Sequence, residues 1–183
     1  MTITSHLEAK ELRHFMNQFF AALVAHREAL NMLNVYPVPD GDTGTNMSMT
    51  AESVVNALKE IPEEAEITEV TSAIAHGSLM GARGNSGVIL SQVLRAFSSE
   101  VGSSGVLDAS SAAKGLSEAA KAAYGAVMTP VEGTILTVVR ESAEAAKETH
   151  EGGGDLLTVV EAALERGKDA LARTPEMLPV LAE

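Results

Sequence analysis

Residues 30–46 read LNMLNVYPVPDGDTGTN, and this stretch separates a long helical pattern from a carboxylate-bearing loop. Before the loop, apolar residues recur at steps of three, four and seven over residues 6–34, which is the spacing of one helix face. Pro37 and Pro39 end the pattern because proline lacks the backbone N–H that a continuing helix needs. The Asp-Gly-Asp sequence that follows is typical of turns, so a first helix and then a loop are predicted.

Helical spacing continues along the rest of the chain and predicts seven or eight antiparallel helices joined by short loops. A strand is arguable only at residues 88–90 and 137–139, and both lie inside longer helical patterns, so the prediction is all-α. The further helices are expected at residues 45–59, 69–80, from 88 onwards, from Asp108 or Ser110 to 127, 134–148, from the cap Asp155 to 173, and from a first turn that contains Pro175.

Composition sets the class of protein. A length of 183 residues suits one domain, expected over residues 1–183, and a hydrophobic fraction of 45% with 3% aromatics favours close-packed helices. The polar residues 1–11 do not form a signal peptide, and no apolar run reaches the roughly 20 residues of a membrane span. The absence of cysteine excludes disulfides and thiolate metal sites, and is consistent with the expected cytoplasmic location.

The charge balance bears on the ligands. Lys and Arg total 13 against 25 Asp and Glu, a net charge of −12, and such a surface repels nucleic acid, which is therefore not an expected partner. A phosphate ligand would need local neutralisation, for which metal ions and helix N-termini are the available means.

Asp40 and Asp42 are the first candidate site. Two carboxylates one residue apart can turn towards one hard cation, and magnesium takes oxygen ligands that it usually completes with phosphate and water. Asn34 is able to add a carbonyl oxygen. The side chains or backbone N–H groups expected to reach phosphates belong to Thr43, Thr45 and Asn46. An ordinary turn is the alternative, because Pro-Asp-Gly is a common turn sequence.

The second candidate segment is GARGNSG, residues 81–87. Glycine at every third position exposes backbone N–H groups ahead of a helix, which forms a phosphate cradle in physical terms. The segment is not a Walker A loop, since no Gly-Lys-Ser/Thr follows, and no strand precedes it as in a Rossmann fold. Tight helix packing through small residues is the alternative.

The third candidate segment, residues 129–136, reads TPVEGTIL. Ile135 and Leu136 beside the Thr134 hydroxyl are able to border an adenine, although Thr134 as a helix N-cap is the alternative favoured by sequence alone. The five histidines show no metal-ligand spacing, and His76, the one near the glycine segment, is interpreted as structural.

Taken together, these segments resemble a known family. LNVYPVPDGDTGTNM (33–47) and HGSLMGARGNSGVILSQ (76–92), in this order and at this separation, strongly resemble the kinase domain of bacterial fatty acid kinase. That domain is similar to the ATP-binding subunit of dihydroxyacetone kinase. TPVEGTIL (129–136) and RTPEMLPVLAE (173–183) match two further segments, so the resemblance covers nearly the whole chain.

The resemblance implies an eight-helix up-and-down barrel with a nucleotide, ATP or ADP, at one end. Asp40 and Asp42 would be the catalytic pair that ligates one or two Mg²⁺ ions, with Asn34 near the place of a third ligand. Asn34 and Thr43 depart from the dihydroxyacetone kinase pattern, which favours the fatty acid kinase branch. The residues implied to contact the nucleotide are Asn34, Thr43, Gly44, Thr45, Asn46, Gly84, Asn85, Ser86, Gly87, Thr134 and Ile135.

The same resemblance implies the reaction. A separate fatty-acid-binding protein would present an acyl carboxylate, and the terminal phosphoryl group of ATP would pass to it to give an acyl phosphate. A carboxylate is already a nucleophile at neutral pH, so positioning and charge neutralisation suffice. Related proteins continue past the segment that ends at Glu183, so a truncated domain, inactive by itself, is an expectation.

Other functions remain open on the sequence. They are phosphorylation of a small ketose such as dihydroxyacetone, a nucleotide-binding module that transfers nothing, and a helical scaffold without ligand. A homodimer is also left open.

Overall fold

The computed structural model describes residues 5–181 of the chain, so residues 1–4 and 182–183 of the segments considered above lie outside it. Seven long helices and one short helix dominate the described part, which confirms the all-α prediction of about eight antiparallel helices. They are α1 (Ala9–Met32), α2 (Thr43–Lys59), α3 (Ile67–Gly81), α4 (Gly84–Ser104), α5 (Ala109–Gly125), α6 (Ile135–Glu151), α7 (Leu156–Ala172) and α8 (Thr174–Met177), followed by a 3₁₀ turn at Pro179–Leu181.

Helices that are consecutive in sequence are also neighbours in space. Each long helix packs mainly on the helix before it and the helix after it, and α2 also contacts α4. The up-and-down order therefore places the loops 33–42, 82–83 and 126–134, with the segment after α7, at one end of the bundle. We call this the proline end, because five of the six prolines lie there.

The core is built from medium-sized and small side chains. The largest fully buried apolar residues are Leu58, Ile74, Val54, Val70, Val101 and Val159. Between them, buried alanines of α5 and α6 let the helices approach closely, as the low aromatic content predicts.

Helix starts at the proline end differ from the prediction. α4 begins at Gly84 rather than at residue 88, and α2 begins at Thr43 rather than at residue 45. Only Ala82 and Arg83 separate α3 from α4, so most of the glycine segment is helical. Low glycine propensity suggested a loop there, but glycine is what the close contact with α2 requires.

One short strand pair escaped the sequence analysis. His6–Leu7 pairs antiparallel with Leu107–Asp108, and α1 begins only at Ala9, so the assignment of residue 6 to the first helix was wrong. Two-residue strands are too short to show an alternating pattern. The predicted N-caps Asp108 and Asp155 are confirmed, as are helices at residues 88–90 and 137–139.

Over residues 5–181, none of the helices has both the length and the apolar character that crossing a membrane requires.

Gly77 tests the close packing of α3 on α2. A Cβ there would lie 2.9 Å from the Ala57 Cβ, the Ser53 carbonyl oxygen and the Val54 Cα. We expect Gly77→Ala to destabilise the fold by about 1–3 kcal/mol, because the backbone of α2 must move. Thermal unfolding should show this as a fall in Tm of about 2–4 °C per kcal/mol.

Gly125→Ala is the matched control, since nothing lies within 4 Å of a Cβ at the last position of α5. Equal effects of the two substitutions on Tm would contradict the packing argument.

Candidate functional site

The loop of residues 33–42 is ordered by its own polar side chains. Asn34 Nδ2 donates a hydrogen bond of 2.6 Å to Asp40 Oδ1. Gly41 has a φ of +67°, a conformation that side chains other than glycine rarely adopt, so it lets the chain turn between the two aspartates. The structure thus joins two of the predicted metal ligands, Asn34 and Asp40.

Asp42 is the N-cap residue of α2. Its side chain makes no capping hydrogen bond, whereas its carbonyl oxygen accepts from the Asn46 N–H at 2.8 Å. The carboxylate therefore stands at the positive end of the helix with its oxygens free of the backbone. An N-cap carboxylate that does not cap is available for an outside cation.

The start of α2 is fixed against α1. A Cβ on Gly44 would overlap the carbonyl oxygen of Arg27, so the two backbones touch at this position. Asn31 makes two hydrogen bonds with Thr45, both of 3.1 Å. Its Oδ1 accepts from the Thr45 N–H, and its Nδ2 donates to the Thr45 hydroxyl. Gly44 and Thr45 thus fix the position of the loop of residues 33–42, which we call the aspartate loop.

The glycine segment meets the first turn of α2, directly after the aspartate loop, at the proline end. A Cβ on Gly84, whose φ is +57°, would overlap Nδ2 of Asn46. The Ser86 hydroxyl lies 3.5 Å from the carbonyl oxygen of Thr43, which joins the first turns of α4 and α2. The first two candidate segments, 43 residues apart by this pair, therefore form one surface.

The first turn of α4 offers unsatisfied donors. Gly87 N–H already donates to the Arg83 carbonyl oxygen at 2.9 Å, whereas the amides of the three residues before it stand at the helix start. Asn85 is exposed, and Gly87 is buried with a Cβ position 2.5 Å from the Thr50 hydroxyl oxygen. This first turn has the donors of an anion site.

The third segment follows the capping alternative. The Thr134 hydroxyl accepts from the Leu136 N–H at 3.3 Å and donates to the Val131 carbonyl oxygen at 2.8 Å, which makes Thr134 the N-cap of α6. Half-buried Ile135 follows it. Topology places this segment at the proline end, but within residues 5–181 no hydrogen bond joins it to the other two.

Sequence reasoning missed a polar network around Glu132. Its carboxylate accepts from the Thr137 hydroxyl at 2.6 Å, from the Tyr124 hydroxyl at 2.7 Å and from Arg140 Nη2 at 3.1 Å. The Thr137 hydrogen bond, followed by that of Tyr124, lowers the pKa of Glu132. Burial and the hydrogen bond to Glu132 raise the pKa of Tyr124. Arg140 and Glu144 are four residues apart, a spacing at which opposite charges pair on one helix face, and this was the sequence signal that α6 carries an ion-pair network.

The donor set fits magnesium only together with a phosphate ligand. No three His, Asp or Glu side chains within residues 5–181 cluster closely enough to hold a metal ion. Asp40 and Asp42 provide two carboxylates, and the Asn34 amide provides a neutral oxygen beside them. Magnesium bound through one or two carboxylates usually completes its shell with substrate phosphate and water, so this incomplete set suits a metal–nucleotide complex.

Comparison with known proteins places the chain in a family. The family model of the DAK2 domain matches residues 37–183, which include every candidate site residue except Asn34. The chain belongs to the DAK2-domain family. This dihydroxyacetone kinase-like family is kinase-related, which agrees with the broader expectation of a kinase-type protein.

Several curated relatives are similar to this DAK2 domain. Protein YloV of Bacillus subtilis is 45% identical over 161 residues, which cover 88% of this chain and 29% of that protein. An uncharacterized protein of Staphylococcus saprophyticus is 41% identical over 181 residues, 99% of this chain and 33% of its own length. An uncharacterized protein of Staphylococcus aureus is 42% identical over 160 residues, which cover 85% of this chain and 28% of that protein. The chain thus spans about a third or less of the length of these relatives.

The Glu132 network of the DAK2 domain makes its stability depend on pH. The folded-state pKa of Glu132 is lowered, so its carboxylate stabilises the fold at pH values above its ordinary pKa of 4.5. This stabilisation is lost as the pH falls through the lower, folded-state pKa. We expect Glu132→Gln to reduce stability near pH 7 by less than about 1 kcal/mol, since the side chain is half-exposed. Thermal unfolding should show the difference shrinking as the pH falls below 4.5.

Glu144→Gln is the control for a general charge effect, because Glu144 pairs with the same Arg140. A Glu132→Gln difference that grows on acidification would have the wrong sign and contradict the assignment.

Proposed function

We propose that this DAK2 domain binds Mg–ATP at the proline end and transfers the terminal phosphoryl group to the carboxylate of a fatty acid. A separate fatty-acid-binding protein presents that carboxylate, and the product is an acyl phosphate. The observation that carries the proposal is the meeting of the first turn of α2, which directly follows the aspartate loop, with the first turn of α4, where Gly84 lies against Asn46 and Ser86 against Thr43.

Each part of this surface suits one part of Mg–ATP. Asp40 and Asp42, with the Asn34 amide, would hold magnesium, which supplies charge neutralisation at the phosphates. The N–H groups and the dipole at the start of α4 favour the phosphates on the other side. The residues proposed to line the phosphate path are Thr43, Gly44, Thr45, Asn46, Gly84, Asn85, Ser86 and Gly87, and those proposed to border the base are Thr134 and Ile135.

A carboxylate acceptor agrees with the composition of the site. The three candidate segments, residues 33–47, 81–87 and 129–136, contain no His, Lys or Cys. Arg83 donates a hydrogen bond of 2.9 Å to the Ala82 carbonyl oxygen. An ionised carboxylate needs no general base, so the domain has only to position the phosphates and neutralise their charge.

The rim of the proline end supports docking of the protein that presents the acceptor. Five large apolar side chains project there into solvent. They are Met128 (102% exposed), Met32 (79%), Leu33 (71%), Met80 (66%) and Val38 (56%). Apolar residues gathered around a charged site are typical of an interaction surface. The acceptor would thus arrive at the end where the phosphates are held.

Phosphorylation of a small ketose such as dihydroxyacetone is the second candidate. Membership of the DAK2-domain family supports it at the level of the family. Asn34 and Thr43 depart from the dihydroxyacetone kinase pattern, and a hydroxyl acceptor would need a base, so the fatty acid is favoured.

Thermal unfolding with Mg–ADP tests the nucleotide site. A ligand at about 100 times its dissociation constant stabilises the fold by about 2.7 kcal/mol, which for this length raises Tm by several degrees. We expect a magnesium-dependent rise for the wild type and none for Asp40→Asn/Asp42→Asn, because the amides cannot neutralise the cation. In a chain extended past Glu183, acyl phosphate formation with the acceptor protein should be lost when the same two substitutions are made.

The double variant Asp108→Asn/Asp155→Asn is the matched control, since both residues are N-caps at the opposite end and asparagine caps equally well. A wild type without any response to Mg–ADP would count against nucleotide binding by this chain.

Met128→Asp tests the docking rim. The side chain is fully exposed, so the fold and the Mg–ADP response should be unchanged, whereas acyl phosphate formation should fall about tenfold because a charge enters an apolar contact. Leu164→Asp is the control, because Leu164 is 54% exposed on the side of the bundle in α7. An equal loss of activity in both variants would contradict a docking surface at the proline end.

A further inference from the structure

A closed circuit of contacts joins the turn before α6 to the segment that follows α7. The circuit begins at the turn, where the Gly133 N–H donates to the Thr137 hydroxyl at 2.9 Å and that hydroxyl donates to Glu132 Oε2 at 2.6 Å. Thr137 is fully buried, so its hydroxyl has these two partners in place of water. Glu132 thereby fixes the backbone directly before Thr134.

The circuit continues along α6 through charged side chains. Arg140 Nη2 donates to Glu132 Oε2 at 3.1 Å and lies 3.7 Å from Glu141 Oε1. Arg173 Nη2 donates to the other oxygen of Glu141, whose side chain is only 11% exposed. A nearly buried carboxylate between two guanidinium groups is costly to leave unpaired, so Glu141 holds Arg173 against α6 beside Arg140.

The last contact closes the circuit. Arg173 precedes α8, and the chain returns from α8 to the turn. A Cβ on Gly133 would lie 2.9 Å from the Leu178 N and 3.0 Å from the Met177 Cβ, and Gly133 has a φ of +79°. The turn therefore has room for the segment only because residue 133 has no side chain.

From this circuit we infer that Glu132 and Glu141 are positioning residues that place Thr134 and Ile135 against the nucleotide base only when residues 173–178 are docked. The inference rests on the proposed nucleotide site. It gives residues 173–178 a role in base recognition without a direct contact to the base. The phosphate contacts, which belong to α2 and α4, are independent of the circuit.

Two ligands, one with a nucleotide base and one without, test this inference. The binding of Mg–ADP and of Mg–pyrophosphate is measured by calorimetry for wild type, Glu132→Ala, Glu132→Gln and Glu141→Gln. We expect Glu132→Ala and Glu141→Gln to weaken Mg–ADP by about fivefold or more and Mg–pyrophosphate by less than about twofold. Glu132→Gln keeps one oxygen acceptor for Thr137 and should recover part of the loss.

Glu144→Ala is the matched control. Glu144 pairs with Arg140 Nη1 at 2.9 Å but lies outside the circuit, so its removal should change neither affinity. A Glu132→Ala variant that weakens both ligands equally has a merely structural defect and overturns the inference, as does one that weakens neither.

Amide hydrogen exchange without ligand examines the circuit itself. Exchange of the Gly133 N–H should be faster by about fivefold in Glu141→Gln and unchanged in Glu144→Ala. Unchanged exchange in Glu141→Gln overturns the coupling even if nucleotide binds. A wild type that binds neither ligand overturns the proposed function and with it the placement of a base, whatever the exchange shows.

Discussion

The close approach of α2 to the helices on either side is the constraint on which the candidate site depends. At Gly44 the first turn of α2 touches the backbone of α1 near Arg27, and at Gly84 the first turn of α4 touches Asn46 of α2. Neither position has space for a Cβ. Because both contacts lie in first turns, they bring two helix N-termini together beside the aspartate loop, and the positive ends of two helices then face the same region.

The remaining part of the proline end is held by polar side chains in addition to the close contact of Gly133 with Met177 and Leu178. The turn before α6 depends on Glu132 and Thr137, and the segment after α7 depends on Glu141 and Arg173. Polar networks of this kind fix geometry sharply when all members are satisfied. The two halves of the proline end therefore differ in their construction: close backbone contacts join the first turns of the aspartate and glycine segments to α1 and α2, whereas the third segment depends more on charged side chains.

Much of the fold followed from local patterns. Apolar spacing predicted all seven long helices, and the caps Asp108 and Asp155 marked two of the starts, because capping depends on residues adjacent in sequence. The starts of α2 and α4 were misplaced, since propensity disfavours glycine in helices while tertiary contact demanded it at Gly44 in α2 and at Gly84 and Gly87 in α4. The strand pair between His6–Leu7 and Leu107–Asp108 left no signal, because its partners are far apart in the chain.

The sequence by itself determined the helical architecture, the choice of Asp40 and Asp42 as candidate ligands and the resemblance of the motifs to a kinase family, since each resides in short runs of residues. Tertiary structure alone decided which segments meet. It joined Thr43 to Ser86 and Asn46 to Gly84, and it engaged Glu132 and Glu141 in a circuit that reaches Arg173. The physical reason is that these contacts join residues on different helices, and their partners are set by how the helices pack rather than by local preference.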